Sequence, residues 1–141
     1  AEYVYLVERS GAAADLVARD GAAATTYAEE LADEGLDVLA ATIDGVSADK
    51  AMVLNVDSDG AVTGTTDLVA RLHARGLTAY SWTLRPENRF LSATFRRGPV
   101  DAFGDWQSEF DLILGTGLDG VFLDHPDLGV AARDAALDRR R

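Results

Sequence analysis

The chain has 141 residues, 48% apolar and 26% charged, enough for one domain with a real core. Its net charge of −11, from 24 acidic against 13 basic residues, argues against nucleic acid and anionic membrane surfaces as partners. Cysteine is absent, which excludes disulfides and thiolate metal sites, and no apolar run reaches the roughly 18–20 residues that a membrane span needs.

Tyr3 to Glu8, aromatic and β-branched, predicts a strand. Ser10 to Ala24 is small, rich in Gly and Ala, and ambiguous. Thr26-x-x-Glu29 is a capping box, and the helix it opens should stop near Gly35. Ala41 to Ser47 is a weaker strand candidate. Asn55 to Gly64 is polar and turn-rich; its Asn55-x-Asp57-x-Asp59-Gly60 imitates a calcium loop. Thr66 stands where the bidentate glutamate belongs, so it reads as a plain turn. Thr65 or Thr66 should cap a helix carrying Leu68, Val69 and Leu72, ended by Gly76.

Leu77 to Leu84 is a strong strand. A long irregular loop follows from Arg85 to about Gly104, a length typical of functional or flexible segments. Trp106 to Leu114 is helical, with Trp106, Phe110, Ile113 and Leu114 on one stripe, and Gly115-Thr116-Gly117 terminates it. Gly120 to Leu123 is the last strand, and an alanine-rich helix runs from Asp127 with Arg139 to Arg141 in its last turn. Strands and helices thus alternate about four times, the pattern of a parallel α/β fold.

Three segments carry a family likeness. Leu72 to Leu91, L-H-A-R-G-L-T-A-Y-S-W-T-L-R-P-E-N-R-F-L, resembles the "AH-x-x-GL, aromatic-T, R-x-EN-x-FL" stretch of glycerophosphodiester phosphodiesterases. Leu118 to Asp127 is similar to their terminal strand and acidic, proline-kinked loop, and Ile43 to Lys50 to their "ADGIG-x-x-K" strand. The resemblance implies a (β/α)₈ TIM barrel of which residues 1–141 form the second half, strands five to eight, because a complete barrel needs about 250 residues. It also implies hydrolysis of small glycerophosphodiesters to glycerol 3-phosphate and an alcohol, with Mg²⁺ or Ca²⁺ bound in the complete enzyme. The family's H-R-G, its strand-borne E-x-D and its second catalytic histidine should all precede Tyr3. The substrate-facing wall therefore carries over and the metal centre does not, and no metal is expected on this chain alone. The long loop from Arg85 is closest to periplasmic or secreted members. Leu123 replaces the usual threonine, His125 stands where an aromatic is common, and the proline of an I-G-P stretch is replaced around Ser47 and Ala48.

Five residues are candidates for substrate binding: Lys50, Trp82, Arg85, Asp124 and His125. Lys50 and Arg85 each follow a strand and could meet a phosphate, Lys as a point charge and Arg by a bidentate fork; the alternative is a surface ion pair. Tyr80 and Trp82 share a strand face, either as core or, for Trp82, as a wall for the glycerol moiety that the resemblance implies. Asp124 either orients a substrate hydroxyl, supports a metal shell, or caps the last helix. His125 fits a neighbouring role after the last strand, whereas His73 lies mid-helix and reads as structural. Glu87 and Asn88 read as loop structure.

Two functions follow. One is a catalytic part, inactive until joined to an N-terminal half-barrel. The other is a non-catalytic half-barrel that binds a ligand or self-associates through unpaired strand edges.

Overall fold

A computed structural model of the chain describes residues 1–139 and residue 141. Four parallel strands form the main sheet: β1 (Val4–Val7), β2 (Gly45–Asp49), β5 (Thr78–Leu84) and β6 (Gly120–Leu123). A separate antiparallel hairpin, β3 (Leu54–Val56) and β4 (Val62–Thr65), follows β2. The helices are α1 (Ala14–Asp20), α2 (Tyr27–Glu30), α3 (Asp33–Leu39), α4 (Leu68–His73), α5 (Trp106–Leu114) and α6 (Pro126–Asp138).

The main sheet runs β1-β2-β5-β6, so each crossover steps to the next neighbour and the order never reverses. A doubly wound sheet reverses at a switch point; a barrel arc does not. Register pairs Val7 with Ala48, Val46 with Ala79 and Ser81 with Val121, all on one face. Val7, Val46, Ala48 and Ala79 on that face form a core with Leu36 of α3 and with Val69 and Leu72 of α4. A second core joins Leu84 to Phe110 and Ile113 of α5 and Ala132 of α6. The opposite face is bare at its edges: Leu6 is 58% and Phe122 55% exposed. Strand alternation requires that arrangement, because neighbours of inward residues point the other way.

Several sequence expectations are corrected in detail. The capping box is present, with Thr26 Oγ1 accepting from the Glu29 N–H and Glu29 Oε2 accepting from the Thr26 N–H at 2.8 Å. Its helix, however, breaks after Glu30, and Gly35 lies inside α3 instead of ending it. A Cβ on Gly35 would collide with the carbonyls of Glu29 and Glu30, so this glycine serves a close approach. The second strand begins at Gly45, because Ala41, Thr42 and Ile43 are held in the turn that closes α3. Asn55 to Gly64 contains the hairpin; Asp57 Oδ1 accepts from the N–H groups of Asp59 and Ala61 and so shapes the turn. Neither threonine caps α4: Thr65 ends β4, and the Thr66 hydroxyl donates to the Met52 carbonyl at 2.8 Å. Of the terminal arginines, Arg139 is the C-cap of α6, and Arg140 lies outside the described residues.

Candidate functional site

The C-terminal ends of the parallel strands gather the candidate residues, the edge of a parallel α/β sheet outside which ligands bind. Asp49 ends β2 and Lys50 follows it; Leu84 ends β5 and Arg85 follows; Asp124 and His125 follow β6. Trp82 is the register partner of Asp49, and its indole Nε1 donates to the Ser47 carbonyl at 3.2 Å. The Trp82–Thr83 peptide is cis. An open cavity of about 180 Å³ lies here, lined by Asp49, Lys50, Trp82, Thr83, Arg85 and Phe90.

Lys50 makes no surface ion pair. Its Nζ donates to Glu109 Oε2 at 2.5 Å, and the Glu109 side chain is fully buried. The other oxygen, Glu109 Oε1, accepts from the Ser92 N–H at 2.7 Å. One carboxylate thus joins the end of β2, the long loop and α5. No other hydrogen bond engages the Lys50 ammonium among the described residues, so the remaining protons of this cavity-lining group stay available.

Arg85 is held from two sides. Its Nε donates to Asp124 Oδ2 at 2.5 Å, and its Cζ lies 4.5 Å from the centroid of the Phe90 ring. The Nη groups have no hydrogen-bond partner among the described residues, which leaves donors for an anion. Asp124 therefore orients an arginine. It does not cap α6, whose N-cap is His125 without a side-chain cap bond.

His125 stands apart from the cavity lining. Its Nε2 is 3.5 Å from Glu87 Oε1, and its ring meets Phe103 edge-on with centroids 5.3 Å apart. Glu87 thus ties the long loop to the segment after β6. Asn88 is a loop clamp, donating from Nδ2 to the Arg97 and Pro99 carbonyls at 2.6 and 2.8 Å. His73 belongs to the opposite end of the sheet. Its Nε2 lies 2.9 Å from Asp119 Oδ2, which also accepts from the Ala79 N–H at 2.8 Å. The Ala79 N–H first, and His73 after it, hold the Asp119 carboxyl below the usual carboxylate range.

Glu109 is the residue that sequence reasoning missed. A signal was there: Trp106, Glu109, Phe110 and Ile113 stand at helical spacing, which sets one carboxylate on an apolar stripe. Glu109 and Asp111 also spell E-x-D, but on a helix, and they have different partners: Asp111 pairs with Arg139 at 2.7 Å.

The carboxylates at this rim do not fit a divalent cation. Asp49 Oδ1 accepts from the Ala51 N–H, Asp124 is engaged by Arg85 and Glu109 by Lys50. Among the described residues, no three His, Cys, Asp or Glu groups converge as a metal would require. What the rim offers is two cations with spare donors beside an indole wall, in a chain of net charge −11. That arrangement suits a small anion attached to an uncharged carbon skeleton.

Comparison with known proteins gives the family. The model of the glycerophosphoryl diester phosphodiesterase family matches residues 13–128. Glycerophosphodiester phosphodiesterase GDPD6 of Arabidopsis thaliana is 34% identical over 99 residues, which is 70% of this chain and 25% of that protein. The chain thus spans about a quarter of the length of this curated relative.

Proposed function

Since this chain belongs to the glycerophosphoryl diester phosphodiesterase family, we propose that it forms the second half of a TIM barrel and binds the phosphodiester of a glycerophosphodiester between Lys50 and Arg85. In the completed enzyme the substrate is cleaved to glycerol 3-phosphate and an alcohol. The observation that carries the binding assignment is the shared cavity: Lys50 and Arg85 both line it, and each keeps N–H donors that no hydrogen bond among the described residues uses.

Arg85 contributes a planar fork whose Nη donors match two phosphate oxygens, and Asp124 fixes that fork from behind. Lys50 adds a point charge from the other side. Trp82 supplies an apolar wall for the glycerol carbons. Neither histidine lines the cavity, so these groups bind and orient the substrate. The divalent cation associated with the family has no fitting donor set here, so no step on this chain runs through it. The chain alone is therefore inactive in this reading.

The barrel reading draws support from the sheet. Its strand order never reverses, and the face opposite the helices leaves Leu6 and Phe122 exposed. In a closed barrel that face is filled by side chains from the other strands. The same bare face supports a second reading, in which two copies cover each other.

The test is hydrolysis of glycerophosphocholine with Mg²⁺ or Ca²⁺ present. We expect glycerol 3-phosphate only when the chain is combined with an H-R-G-bearing first half from a family member. Replacing Arg85→Met should then lower kcat/KM about 100-fold, the loss typical of a donor aimed at developing negative charge. A combined barrel that fails to cleave would sink the assignment.

A further inference from the structure

We infer that Glu109 is a positioning residue for the phosphodiester site: it aims the Lys50 ammonium into the cavity and ties the loop that forms the cavity's far wall to the same point. The inference rests on the assignment of the Lys50–Arg85 cavity to a phosphate-bearing substrate.

Glu109 is fully buried on a helix whose other inward residues are Trp106, Phe110 and Ile113. A carboxylate there has lost its hydration, and the attraction of one ammonium seldom compensates for that loss. An apolar side chain of similar volume would serve stability as well or better. Stability alone therefore gives no reason for the pair. The geometry gives another. Both oxygens are used, and on different elements: Oε2 takes Lys50 Nζ at 2.5 Å and Oε1 takes the Ser92 N–H at 2.7 Å. Ser92 lies two residues beyond Phe90, which lines the cavity and sits beneath Arg85. One fixed carboxylate thus sets the place of the Lys50 charge and of the Phe90 shelf that supports Arg85.

Lysine needs this more than arginine does. Its ammonium rides on a flexible four-carbon stem and has no preferred plane, so its direction must come from a partner. Arg85 has its own orienting carboxylate in Asp124. Each cation at the cavity thus has a dedicated acid, and only the one for Lys50 is buried.

A double-mutant cycle on the intact chain tests the role, with inorganic phosphate as probe and tryptophan fluorescence as readout. Glu109→Gln keeps an oxygen for the Ser92 N–H and removes only the charge that holds Lys50. It should weaken phosphate about tenfold, within the range of coupling between touching groups. Placed on Lys50→Met, the same change should alter affinity less than about twofold, because nothing remains to be aimed. The Lys50→Met, Glu109→Gln double variant buries no charge and still anchors the loop, so it reports even where a single variant folds poorly. Equal weakening by Glu109→Gln in both backgrounds would reduce Glu109 to a loop anchor and overturn the proposal, as would no effect in the presence of Lys50. Failure of the unmodified chain to bind phosphate overturns the cavity assignment and this role together. The hydrolysis assay with an H-R-G-bearing half tests the phosphodiesterase reading by itself.

Discussion

Asp119 shows how one carboxylate can be structural at the foot of a sheet whose head carries the candidate site. It bridges the start of β5 to His73 of α4, accepting from the Ala79 N–H and from the imidazole. Its folded-state carboxyl titrates lower than in the unfolded chain, so its stabilisation is complete above the unfolded value and is lost as pH falls through the folded one. Because the side chain is 41% exposed, solvent screens the effect, and Asp119→Asn should cost about 1 kcal/mol at pH 7. Urea titrations of both proteins at pH 7 and near pH 2 check this: the gap should close at the acid end. A gap of the same size at both pH values would mean that the charge contributes nothing. The histidine of this pair, read from the sequence as structural and mid-helix, is the last residue of α4. No spacing in the chain, in contrast, links His125 to Glu87, 38 residues away in the sequence and 3.5 Å away in space.

At the level of elements, the Asn88 side chain clamps the segment from Arg85 to Gly104 from inside. Asn88 is 2% exposed and makes three bonds, two from Nδ2 to the Arg97 and Pro99 carbonyls and one at Oδ1 from the Arg97 N–H. Gly104 packs so tightly on it that a Cβ there would collide with Asn88 Oδ1. Asn88→Ala strands three backbone groups at once, which should cost about 2–3 kcal/mol. The loop should then open locally, and trypsin should cut after Arg96 or Arg97 at least about tenfold faster. Unchanged tryptic digestion would show that the loop is held by its apolar anchors, Leu91 and Phe95, both buried. The loop's length marks it as special in the sequence, but its internal clamp depends on pairings nine and eleven residues apart that have no periodic signature. The hairpin β3–β4 escaped for a related reason. Its strands have three and four residues and are interrupted by a bulge, too short for alternation to show.

For the whole molecule, the two faces of the sheet set the behaviour. One is covered by helices and the other exposes Val4, Leu6 and Phe122. In this reading an N-terminal half-barrel, or a second copy, covers that face. The isolated chain should therefore take up an apolar-surface dye and self-associate in sedimentation as its concentration rises. A Leu6→Thr, Phe122→Thr double variant removes apolar surface that no part of this chain buries. It should keep the circular dichroism of the parent, bind less dye, and lose activity with an H-R-G-bearing half. A parent chain that stays monomeric and dye-free would tell against any partner at this face.

The alternation of strands and helices, the capping box, the final strand with its acidic loop and the family likeness are local, and they are legible because period, cap and turn residues act within a few positions. The parallel α/β class follows from them. Which candidates share a cavity was decided by tertiary structure alone. Lys50, Trp82 and Arg85 meet there because parallel register brings the ends of β2 and β5 side by side. Glu109 reaches Lys50 across 59 positions because α5 packs beneath the same rim. Charge pairs between distant elements depend on distance in space, and spacing along a chain carries no trace of it.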